Sequence, residues 1–139
     1  MPAKSRKRGV SAAERYQVGQ VWTFADAPLP DSKVIIGSLD DIPQFGLVVS
    51  ISVINVPVDG VAPGSTDIID IEHAPMAPEF LDECLIDLIG FHPPPRNFET
   101  LRNNWLEANA KEGAGIFTIG VRDLISIYQD GIRQMRSGD

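Results

Sequence analysis

The chain has 139 residues, 43% hydrophobic and 22% charged, with a formal net charge of −7. That balance is typical of a globular domain and argues against a disordered chain, and no apolar run approaches the ~20 residues that a membrane span needs. A single cysteine, Cys84, excludes an internal disulfide, no secretory signal is legible, and a cytoplasmic location is expected.

Charge is unevenly spread along the chain. Residues 1–15 carry Lys4, Arg6, Lys7, Arg8 and Arg15 against Glu14, a net +4, which leaves −11 on the remainder. Residues 1–15 read as a basic flexible arm, and 16–136 as one domain, β-rich over 16–76 and helical over 77–136. An acidic body disfavours a nucleic-acid groove across the fold, so nucleic acid is expected only through Lys4–Arg8, if at all.

After the arm, Val21-Trp22-Thr23-Phe24 reads as a strand, and Pro28, Pro30, Asp31 and Ser32 mark a turn. A second strand runs from Lys33 to Leu39. The most β-branched stretch, Phe45 to Val58, reads as a long central strand with Leu47, Val49, Ile51 and Val53 on one face. After Val53 the apolar set switches to Ile54, Val56 and Val58, a phase slip that predicts a β-bulge at Val53–Asn55. Pro57 is expected at a sheet edge. Asp67 to His73 forms a fourth strand, with Ile69, Ile71 and His73 predicted on one face.

The remainder reads as helical. Pro78 and Glu79 suit a helix start, Leu81, Cys84, Leu85 and Leu88 follow helical spacing, and Gly90 supplies a stop. Pro93-Pro94-Pro95 makes a stiff corner. Two further helices follow, one with Phe98, Leu101, Trp105 and Ala108 on its apolar face, the other with a regular stripe from Val121 to Met135. Strands followed by helices give the α+β class: a strongly curved, partly barrel-like antiparallel meander of four strands with three helices packed on it.

Motifs for catalysis are few. Gly113-Ala114-Gly115 follows a helix rather than a strand and so lacks the geometry of a dinucleotide loop. No cysteine and histidine spacing suits zinc, and the carboxylates of 67–87 read as solvated surface, so neither a metal nor a cofactor is expected. His73, at the end of a strand beside a helix start, is the one candidate general base. With Ser50, Ser52 and Glu79 it would line a ligand pocket at the strand–helix joint. A histidine satisfied by local hydrogen bonds is the simpler alternative. Trp22 and Trp105 are the candidate interface anchors, since indole suits binding hot spots, although most aromatics fall at core positions.

Gly19-Gln20-Val21-Trp22, Ser32-Lys33-Val34-Ile35-Ile36-Gly37 and His73-Ala74-Pro75-Met76 together resemble a family of small uncharacterised bacterial proteins. That family has a Gly-x-Val-Trp opening, a Ser-x-Leu/Val-x-Ile-Gly strand and a His-Met-Pro-like joint; the joint here is His-Ala-Pro-Met. The resemblance covers roughly residues 16–89. It implies a β-rich N-terminal half and a bacterial or phage setting, and it carries no activity. The sequence thus leads to a small non-enzymatic binding or regulatory protein with a protein partner; a small-ligand binder or enzyme around His73 is the alternative. An edge at Pro57 or the stripe Val121–Met135 would each support a homodimer.

Overall fold

The long central strand is present as expected, and the sheet is built outward from it. The structure, a computed structural model, describes residues 11–137. Its elements in chain order are α1 (Ala12–Arg15), β1 (Gln20–Phe24), β2 (Lys33–Ile42), β3 (Gly46–Asp59), β4 (Thr66–Met76), α2 (Pro78–Cys84), β5 (Leu85–Phe91), α3 (Phe98–Glu112) and α4 (Val121–Ser137). Five strands form one antiparallel sheet in the order β4-β3-β2-β1-β5. The sheet is open, with β4 and β5 at its two edges, so the α+β class holds while the four-strand, partly barrel-like description does not.

The fifth strand is the main departure from the sequence reading. The helix opened by Pro78 stops at Cys84, and Leu85–Phe91 runs antiparallel to β1 instead. Leu81, Cys84 and Leu85 share a helical spacing, but Leu85 follows the helix in an extended conformation. Pairing satisfies the outer N–H and C=O groups of β1, which a continued helix would have left open. The fourth helix is also new. Ser11 and Glu14 form a reciprocal capping box, so Ala12–Arg15 is a helical turn rather than part of an arm. The basic cluster Lys4–Arg8 lies outside the described residues.

The predicted bulge is found. Val53 pairs with Ile71 but Val56 with Ile69, so β3 carries one extra residue between them. Asn55 takes it up at φ 62°, its amide Nδ2 donating to the Asp31 carbonyl at 2.8 Å while Ser32 Oγ donates to the Asn55 carbonyl at 2.6 Å. Asparagine tolerates this left-handed conformation better than most residues. Pro57 pairs with Ile68 of β4 on one side, while the pairing with β2 on the other ends at Ile54, so the proline lies where β3 is open on one side, as expected; Gln129 of α4 donates to its carbonyl.

One sheet face carries the main core. Val34, Ile36, Val49, Ile51, Val53, Val56, Val58 and Ile71 pack there against Leu81 of α2 and Val121, Leu124 and Ile125 of α4. The stripe predicted on α4 is therefore taken up by the core as far as Ile132, whereas Met135 at its end is exposed. A second tie crosses this layer: Arg15 grips Asp82 through Nε and Nη2, and the buried Tyr16 hydroxyl donates to the same carboxylate at 2.5 Å. Burial, with Asp82 alongside, raises the Tyr16 pKa. The opposite face is covered in part by α3, whose Phe98 ring lies over Gly37 so closely that a Cβ there would sit 2.2 Å from it. Among the described residues no helix is long and apolar enough to cross a membrane.

Candidate functional site

The face beneath α3 gathers some of the predicted site residues and scatters others. His73 does not share a face with Ile71. Ile51 pairs with Ala74 and Val53 with Ile71, so β4 has its own extra residue at Glu72–His73, which turns the imidazole to the α3 side. There His73 Nε2 lies 3.1 Å from Ser50 Oγ, and its ring meets Phe98 edge-on at 5.3 Å and Trp105 at 6.0 Å between centroids. Ser52 donates to the Glu72 carbonyl at 2.7 Å. Glu79 is elsewhere: it lines a separate open groove with Asp41, Phe45 and Leu47.

Next to His73 lies a charged cluster. Arg102 donates through Nε and Nη2 to Asp40, at 3.0 and 2.5 Å, and Ser38 Oγ donates to the same carboxylate at 2.9 Å. This pair holds the Asp40 pKa below its ordinary value. Arg102 and the buried Asn109 sit on the covered side of α3, while Leu101 and Ala108 are exposed. The face predicted for this helix is thus rotated, because Asp40 supplies a partner that the helix sequence alone does not reveal.

Burial, reinforced by the Arg102 charge and opposed by Asp40, pushes the His73 pKa down to about 4. Near neutrality the imidazole is uncharged and hydrogen-bonds to a fully buried serine. That pairing lacks what nucleophilic catalysis requires. Ser50 has no exposed surface for a substrate to reach, and the Asp40 oxygens accept from Arg102 and Ser38 rather than from His73. Among the described residues, no group of three or more His, Cys, Asp or Glu side chains is placed to hold a metal ion. Cys84 is half-buried against the core, and burial raises its thiol pKa.

The two tryptophans are each half-buried with a local hydrogen-bond partner. Trp22 packs against the core edge-on to Tyr16 and donates to Gln20 Oε1 at 3.0 Å; Trp105 donates to the Gly115 carbonyl at 2.9 Å. Of the two exposed aromatics among the described residues, Phe45 and Phe91, the more open is Phe91, 64% accessible. Ile86, Leu88 and Ile89 on the same edge strand are 57%, 45% and 54% exposed. Beside them a groove of about 300 Å³ opens on the sheet, lined by Val21, Ile35, Ile54, Ile89, Phe91 and His92. Four large exposed hydrophobics thus fall within six residues of one edge strand, Ile89 and Phe91 lining the groove and Leu88 paired with Trp22, a density unlike the scattered apolar residues normal on a surface. A signal existed in the sequence: Ile86 and Ile89 are β-branched and precede Gly90, which favours a strand as readily as a helix end.

With the geometry in place, comparison with known proteins adds no relative: no protein-family model, curated protein or solved structure matches the chain. The residues behind the family resemblance have structural positions. Gly19 turns at φ 94° into β1, Gly37 admits Phe98, and His73-Ala74-Pro75 follows the second bulge.

Proposed function

We propose that this chain is a small cytoplasmic, non-enzymatic binding or regulatory protein that acts through a protein–protein surface formed by β5 and the adjoining groove. The observation that carries this reading is the run Ile86, Leu88, Ile89 and Phe91, exposed on an edge strand beside an apolar groove. Such a patch is what a buried interface core needs, and a free monomer gains nothing by exposing it. The acidic body disfavours a nucleic-acid partner. The alternative, a pocket for a small molecule at His73, draws less support. Its serine is fully buried and its imidazole is wedged between Phe98 and Trp105.

Photo-cross-linking in native lysate tests this reading. A photoreactive residue at Ile89 should give a protein adduct that is lost when Phe91→Asp is added, whereas one at the exposed Ile68 on the opposite edge should give none. Equal labelling at both edges, or none at either, would remove the proposal. Co-purification of a small molecule that His73→Ala abolishes would favour the alternative.

A further inference from the structure

We infer that the occupant of the β5 surface is a second copy of this chain, bound antiparallel about a two-fold axis at Phe91–His92. This inference rests on the protein-binding reading above and names its partner. The segment Leu88–Pro95 contains no Asp, Glu, Lys or Arg, although the chain as a whole carries −7. It is bounded by Asp87 at one end and Arg96 at the other. Both are exposed, and neither joins an ion pair among the described residues. A neutral apolar stretch with opposite charges at its ends is complementary to its own reverse.

Antiparallel superposition about Phe91–His92 sets Asp87 of each copy against Arg96 of the other. It also sets Leu88 against Pro95 and Ile89 against Pro94, apolar on apolar, with Phe91 facing His92 next to the axis. Phe91 comes beside the axis, next to the groove whose floor is the buried Ile35 and whose walls are Val21, Ile54 and Ile89. This is the isologous geometry of a two-fold dimer, in which one patch serves both partners. The contact is made by side chains rather than by adding a strand. Three prolines lack the N–H that a ladder needs, and β5 already carries two irregularities against β1. His92, Pro93 and Pro94 each precede a proline and so hold extended backbone, which presents the segment with little ordering cost.

Sedimentation velocity over a range of protein concentrations tests the inference. The parent chain should dimerise, and Phe91→Asp should be monomeric throughout. Asp87→Arg and Arg96→Asp should each weaken the dimer about tenfold at low salt, because each turns two exposed attractions into two repulsions. The double variant Asp87→Arg/Arg96→Asp should recover the parent affinity. All three positions are exposed, so circular dichroism of the variants should match the parent, as should thermal unfolding at concentrations too low for the dimer to form. A parent that stays monomeric, or a double variant as weak as the single ones, overturns the inference. In that event the Ile89 cross-link separates the two ideas: an adduct with a different protein keeps the surface and rejects the dimer, and no adduct rejects both.

Discussion

One sheet face carries two regions of opposite character. Under α3, the ring of Phe98 occupies the space over Gly37, and Asp40, Arg102, Ser50, Ser52 and His73 all have polar partners. Toward β5, Ile35 forms the floor of an open groove, with Val21 and Ile54 half-exposed beside it. The same strand β2 contributes to both regions. Strand composition therefore does not separate them; cover does. Where a helix closes the face the side chains serve stability, and where none does they stay exposed.

Breaking the covered region should have the largest effect. Phe98→Ala removes a fully buried ring and should cost about 3–5 kcal/mol, read from chemical denaturation. Gly37→Ala attacks the same contact from the sheet side. Its new methyl would overlap a ring that cannot swing away, and a loss of about 1–3 kcal/mol is expected. If both variants unfold at the parent's urea midpoint, α3 does not seal this face.

Acid should loosen the same region. The folded-state pKa of His73, about 4, lies below its ordinary 6.5, so between these values the unfolded chain binds more protons than the folded one. Stability therefore falls as pH drops through that window, and it rises again toward neutrality. Asp40 is depressed below 3.8 by Arg102, so its contribution is lost only at still lower pH. Urea midpoints at several pH values should show the first decline in the parent, and a flatter dependence in His73→Gln.

The bulge offers a smaller test. Asn55→Ala keeps the left-handed backbone but loses the bond to the Asp31 carbonyl, at a cost of about 1–2 kcal/mol, whereas Asn55→Gly should lose less because glycine accepts the conformation freely. Smallest of all, Phe91→Asp should remove self-association while changing thermal stability by less than about 0.5 kcal/mol at concentrations where the parent is monomeric. A large loss of stability there would mean that the open region is structural after all.

How far these regions could be read from sequence follows the same division. The meander and its bulge were legible because alternation has a period of two, and a single extra residue visibly shifts the phase after Val53. The site was less so. The face of His73 depends on a second bulge at Glu72–His73, where Asp70-Ile71-Glu72 alternates without a break and gives no warning. The inward face of α3 depends on Arg102 finding Asp40, 62 positions away. The strand β5 was hidden for a related reason. Leu81, Cys84, Leu85 and Leu88 satisfy a helical period locally, and only the free side of β1 decides for a strand.

That late strand has a consequence for how the chain reaches this structure. β1 to β4 each pair with their neighbour in sequence, so their loops close cheaply and early. β5 instead meets β1 across about 60 to 70 intervening positions, at a higher entropic cost of closure. The outer side of β1 is therefore the last sheet boundary to be covered during folding. Until then Val21 and Trp22 stand on an unpaired strand, which makes the refolding chain most prone to aggregation before β5 arrives.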